Sequence, residues 1–146
     1  MHGLTSASLI AFLPTMDAAR ARLFYEGDLG LTFVADEPFA LIFDIPGASL
    51  RITKVASLHP QPFTVLGWQV SDLRAMIRDL KRKGIRFELY PGLAQDADGV
   101  CTFPDGTQVA WFRDPDENVL SLTQFPHAVS SIARPPSPSE VTAASV

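Results

Sequence analysis

One pattern occurs twice in this chain, and a duplicated pattern restricts the possible folds more than composition can. The apolar run Ala7 to Leu13 leads to Asp17 and a helical segment, and Thr64 to Val70 leads in the same way to Asp72. Leu29-Gly30-Leu31-Thr32-Phe33 is echoed by Lys83-Gly84-Ile85-Arg86-Phe87, and Leu50 to Thr53 by Leu120 to Thr123. The stretch Phe112-Arg113-Asp114-Pro115-Asp116-Glu117-Asn118-Val119-Leu120-Ser121-Leu122 reads as a strand end, a tight polar turn and a second strand. Phe43 to Ile52, turning at Pro46-Gly47, has the same shape.

Each copy reads as strand, helix and further strands. In the first, Pro14 ends the opening strand or sits at a sheet edge. Asp17 caps a helix that buries Ala21, Phe24 and Tyr25, and Gly27 or Gly30 stops it. Strands follow over Leu31–Ala35, Phe39–Ile45 and Ala48–Val55, with Leu50 and Ile52 on one face and Arg51 and Thr53 on the other. Ser57 to Pro62 reads as a linker. In the second copy Ser71 or Asp72 caps a helix with a stripe of Leu73, Met76, Ile77 and Leu80. Lys81-Arg82-Lys83 suits the negative end of its dipole, and Gly84 closes it. Ile85–Tyr90 is predicted as a strand, Pro91–Gly99 as a polar loop, and Val100–Phe103 as a short strand. Thr107–Arg113 and Val119–Phe125 are the last two strands. Parity places Val65, Gly67 and Gln69 on one side of their strand, opposite Trp68. The Pro, Ser and Ala content of the remainder predicts a flexible tail.

Composition sets the outer bounds. With 146 residues, 47% of them hydrophobic, the chain can bury a real core. Its net charge of -4, from 12 basic and 16 acidic residues, offers nothing to nucleic acid. Cys101 is the only cysteine, which points to a reducing compartment. The first residues carry no basic segment leading into an apolar run, and no uncharged run reaches membrane-spanning length. A soluble, cytoplasmic protein with no membrane partner is the expectation.

Leu13-Pro14-Thr15-Met16-Asp17, Leu23-Phe24-Tyr25, Leu29-Gly30-Leu31, Gly67-Trp68-Gln69-Val70-Ser71-Asp72-Leu73 and Phe112 to Asn118 together give the chain a family look. In order and spacing it resembles the vicinal oxygen chelate superfamily, the glyoxalase, bleomycin-resistance and extradiol-dioxygenase group, over roughly residues 8 to 126. Glu117 stands where the family turn usually has glycine. The resemblance implies an α+β fold of two tandem βαβββ modules, about 7–56 and 63–126, with curled sheets forming a shared cleft. These modules would make one domain, 1–126, followed by the tail 127–146.

Enzymes of that family hold a divalent metal through His, Gln or Glu on inner strands. By the resemblance, those positions are Ile10, Arg51, Val65 and Ser121 here. Two are aliphatic, one is a poor zinc ligand, and the arginine repels a cation, so neither metal nor other cofactor is expected. Candidate ligand contacts are Phe12, Arg51, Gly67, Gln69, Trp111 and Ser121. Arg51 either clamps a carboxylate or phosphate or lies on a solvated face. Gly67 either leaves room for a bound molecule or eases sheet curvature. Trp111, Phe12, Phe43 and Phe103 are either pocket walls or ordinary core. Cys101 has no histidine near it in sequence to activate it, and His2, His59 and His127 make no ligand-spaced cluster.

Three functions are therefore open. The first is metal-free binding of a small, partly apolar or aromatic molecule in the cleft. The second is a metal-dependent lyase, isomerase or dioxygenase with an atypical donor set such as Glu88, Asp96, Asp98 or His59. The third is a ligand-free interaction module. A homodimer is expected, with Ala18, Ala19, Arg22 and Leu23 as a small-residue helix face allowing close approach.

Overall fold

The computed structural model describes residues 3–126. His2, His127 and the expected tail lie outside the described residues. The chain divides into two compact units, the first ending at His59 and the second beginning at Pro60. Each has the order strand, helix, three strands.

The first unit contains β1 (Leu9–Thr15), α1 (Ala18–Arg22), β2 (Thr32–Asp36), β3 (Ala40–Ile45) and β4 (Ala48–Lys54). Its sheet runs β1-β4-β3-β2, with β1 parallel to β4 and the other pairs antiparallel. Pro14 lies inside β1, where an edge strand tolerates its missing N–H. Asp17 caps α1 by accepting the Arg20 N–H at 3.1 Å. From Leu23 to Asp28 the helix widens to π geometry, and the Leu29 N–H reaches back five residues to the Phe24 carbonyl at 2.9 Å. Gly30, at φ 72°, turns the chain out. The expected stripe Ala21, Phe24 and Tyr25 is buried, as are Leu13, Leu41, Phe43, Leu50 and Ile52. Tyr25 and Phe33 meet Phe43 with ring centres 6.0 and 5.7 Å apart.

The second unit contains β5 (Thr64–Gln69), α2 (Leu73–Arg82), β6 (Cys101–Thr102), β7 (Gln108–Arg113) and β8 (Val119–Gln124), in the sheet order β5-β8-β7-β6. Asp72 repeats the cap, accepting the Ala75 N–H at 3.0 Å, and the Gln124 side chain takes the Leu73 N–H at 2.7 Å. Leu73, Ile77 and Leu80 are buried, whereas Met76 is 36% exposed at the margin of the stripe. Among the described residues no helix is long and apolar enough to cross a membrane.

Two expectations are corrected. Ile85–Tyr90 is not a strand: only Phe87 bridges Phe112, and the Glu88 N–H donates to the Trp111 carbonyl at 2.8 Å. The edge of β7 is shared with β6, so the segment forms a single bridge there and no ladder. Nor are the sheets curled. Each is an open four-stranded ladder. Strong bending needs bulges in the central strands. The register shifts lie at Phe33/Ala35 of β2 and Thr64/Leu66 of β5, both edge strands, while β3–β4 and β7–β8 pair without interruption.

The turn between β7 and β8 is built around one buried carboxylate. Asp114 accepts the Asp116 and Asn118 N–H groups, both at 2.9 Å, and the Asn118 side-chain amide at 2.8 Å. Asp114 and Asn118 are each 4% exposed. Glu117 completes the turn at φ 69°, the one described non-glycine residue with positive φ. Glu117→Gly is expected to raise stability by about 0.5–1 kcal/mol by removing left-handed strain. Asp114→Ala is expected to cost about 2–3 kcal/mol because it strips buried donors of their acceptor. Denaturant midpoints check both; an unchanged or lower midpoint for Glu117→Gly would count against the strain.

Candidate functional site

The helix of each unit covers one sheet face, so the opposite face decides what can be bound. In the first unit, ladder pairing puts Phe12 opposite Arg51 and Arg51 opposite Ile42. Ile10 lies two residues along from Phe12 on the same side. This face is the one turned away from the buried Leu13, Leu50 and Ile52. Phe12 is 62% exposed and Ile10 52%. Arg51 donates from Nη2 to Glu37 at 3.1 Å, its one ion pair among the described residues, and a third of its side chain remains exposed. Two sequence candidates, Phe12 and Arg51, are therefore neighbours on a largely uncovered surface. Ile42 and Glu37 join them through strand pairing and a turn, which residue type alone does not signal.

In the second unit the equivalent face is filled around Trp111. Ladder pairs put Gly67 and Trp111 opposite Ser121, and Gln69 opposite Thr123. Trp111 is 1% exposed and belongs to a cluster with Cys101, Phe103, Val109 and Val119, over which Tyr90 and Leu93 pack. The Tyr90 and Trp111 rings meet edge to face at 5.8 Å, and the Trp111 indole donates to the Thr64 hydroxyl at 3.1 Å. Gly67 makes room, but for its own neighbour: a Cβ there would lie 2.5 Å from the Ser121 Oγ. Phe43 is core in the first unit and Phe103 core in the second. Gln69 is exposed. Burial raises the pKa of the Cys101 thiol, which works against a nucleophilic thiolate.

The covering loop is tied down by polar groups that its composition does not reveal. Gln95 accepts the Tyr90 N–H at 2.7 Å and donates to the Glu88 and Gly99 carbonyls at 2.9 and 2.8 Å. Arg74 of α2 pairs with Asp96 and Asp98, and Lys81 with Asp98. The Arg74 hydrogen bond holds the Asp96 carboxyl below its ordinary pKa, and Lys81 does the same for Asp98.

The donor set does not fit a divalent cation. Of the metal positions that the resemblance implies, Ile10 and Val65 have no donor atom, Arg51 carries a positive charge beside Glu37, and the Ser121 hydroxyl abuts Gly67. The atypical set fares no better, because Glu88 pairs with Arg113 while Asp96 and Asp98 pair with Arg74 and Lys81. Among the described residues no three His, Cys, Asp or Glu side chains gather to hold a metal.

Gly67→Ala is expected to cost about 1–3 kcal/mol through overpacking, and Ser121→Ala in the same chain is expected to recover most of it. Additive losses in a double-mutant cycle would show that the two residues do not share this space. The loop has an acid limit. A carboxyl with a lowered folded pKa stabilises above its ordinary value of 3.8, and that stability is lost as pH falls below it through the folded value. Amide exchange over residues 88–100 is expected to accelerate below pH 3.8 relative to the other amides, and exchange that stays uniform would rule the latch out.

No curated protein sequence matches this chain significantly. Solved structures match its fold. A lactoylglutathione lyase from Agrobacterium tumefaciens is 17% identical, with TM-score 0.63 and coverage of 82% of this chain and 93% of that one. TnmS3, an antibiotic binding protein from a Streptomyces species, is 22% identical, with TM-score 0.64 and coverage of 85% and 99%. A glyoxalase/bleomycin resistance protein/dioxygenase from Nocardioides is 16% identical, with TM-score 0.64 and coverage of 89% of each chain. At these identities the likeness shows the fold alone. The family model described as Glyoxalase/Bleomycin resistance protein/Dioxygenase superfamily matches residues 8–122, and with the duplicated βαβββ order it places the chain in that superfamily.

Proposed function

We propose that this chain binds a small, partly apolar or aromatic molecule without a metal and without converting it. The carrying observation is the uncovered face of the first sheet, where Phe12 and Ile10 stand in solvent beside Arg51. Exposed aromatic and branched side chains on a rigid strand release water when a flat molecule covers them, at about 25 cal/mol per Å² of apolar area removed. Phe12 and Arg51 are the proposed contacts. Gln69 is a further candidate, while Gly67, Trp111 and Ser121 support the second sheet by packing. The poor fit of the donor positions to a metal favours binding over metal-assisted lyase, isomerase or dioxygenase chemistry. TnmS3, an antibiotic binder by name, is a precedent for binding on this fold.

We also propose a homodimer in the cytoplasm. Leu23 and Met16 stand exposed at and just before the first helix, 72% and 57%, and a second copy can cover them. The single, buried cysteine suits a reducing compartment. Light scattering after size exclusion is expected to give twice the mass of one chain at micromolar concentration, and one chain's mass defeats the dimer.

Thermal-shift screening against flat aromatic metabolites and antibiotics tests the binding reading. At least one class is expected to raise the melting temperature. Phe12→Ala is expected to weaken binding of that ligand by about 1–2 kcal/mol while the apo melting temperature changes little. Absence of stabilisation by any compound defeats the reading.

A further inference from the structure

We infer that Arg51 makes the uncovered face of the first sheet selective for anionic ligands, with Glu37 as the carboxylate that the ligand displaces. This rests on the binding reading above. Arg51 sits on β4 between Phe12 of β1 and Ile42 of β3, so its guanidinium rises from apolar flanks. Hydrogen bonds made there are less diluted by water than bonds at an open polar surface. One Nη2 contact to Glu37 occupies only part of a five-donor fork. The remaining N–H groups can take a carboxylate or sulfonate through two parallel bonds, which a neutral ligand cannot match.

Glu37 is suited to yield. It lies just beyond β2, its side chain is 51% exposed, and exposed pairs of this kind are weak. The other nearby pair, Lys54 with Asp36, is satisfied within itself. Strand parity puts both on the helix side of the sheet, with Lys54 opposite Thr15 and Asp36 opposite Leu41. Among the ladder residues of the free face, Arg51 is the only cation. Asp44, opposite Ser49 and two residues from Ile42, is the only acid. A bound anion is therefore steered to the Arg51 end and its flat body over Phe12.

The test uses a matched pair of probes, 2-naphthoate and 2-naphthamide, titrated calorimetrically into the full chain. Wild type is expected to bind the carboxylate about tenfold more tightly than the amide. Arg51→Ala is expected to abolish that preference and leave amide affinity within about twofold. Glu37→Gln is expected to tighten the carboxylate about threefold and leave the amide unchanged, since it removes a weak competing pair. Circular dichroism checks the fold of each variant. If Arg51→Ala does not fold, the wild-type preference and the Glu37→Gln response decide. Equal affinities in wild type, a preference that survives Arg51→Ala, or no response to Glu37→Gln overturns the inference while leaving the binding reading in place. Failure of both probes to bind wild type at millimolar concentration overturns the inference, and the thermal-shift screen then decides the binding reading.

Discussion

The parallel pairing of the first and last strands of each unit is the constraint on which the rest depends. From Leu9↔Ala48 to Thr15↔Lys54, β1 runs beside β4 in one direction, and β5 runs beside β8 in the same way. In each unit the helix follows the first strand and covers one face of the sheet; the other face is left for something else. Residue parity then assigns every side chain. Leu13 is buried and Phe12 is not, and a slip of one residue would exchange them.

The two units use the same scheme and end differently. Between the helix and the final hairpin, the first unit has a short β2–β3 connection, and its other face stays largely uncovered. The second unit has the long segment after Gly84. It meets β7 through the Phe87 bridge, the Glu88 N–H and the Glu88–Arg113 pair, lays Tyr90 over the cluster around Trp111, turns at Pro91-Gly92 and adds Leu93 to the cover. Gln95 satisfies three backbone groups of that segment, so the loop can lie against the sheet without leaving those groups unpaired. One face has thus become core, while its counterpart remains a surface with one cation.

That contrast bears on chemistry. A metal site requires several donors brought to one point, and the positions that the resemblance assigns to them carry aliphatic, hydroxyl and guanidinium groups. A binding surface requires much less: exposed apolar area, a rigid base and one charge to orient what lands there. Phe12, Ile42 and Arg51, held across three adjacent strands, meet that lower requirement.

The sequence by itself determined the duplication, the first helix cap, most of the buried helix faces and the strand parity, and it narrowed the second cap to Ser71 or Asp72. These are local: Asp17 and Asp72 act within three residues, and alternation needs only neighbours in the chain. Residue chemistry also settled that Ile10 and Val65 supply no metal donor. Tertiary structure decided the remainder. Ile85–Tyr90 has strand-like residues, but whether it pairs depends on β6 competing for the edge of β7. Gly67 reads as spare room until Ser121, on a strand more than fifty residues away in sequence, is seen to fill it. Sheet curvature depends on where bulges fall, and no motif marked them as lying in edge strands. Trp111 and Phe12 are both aromatic strand residues, and only the loop folded over one sheet makes the first core and leaves the second in solvent. That outcome is set by contacts between segments distant in sequence, which neither propensity nor periodicity encodes.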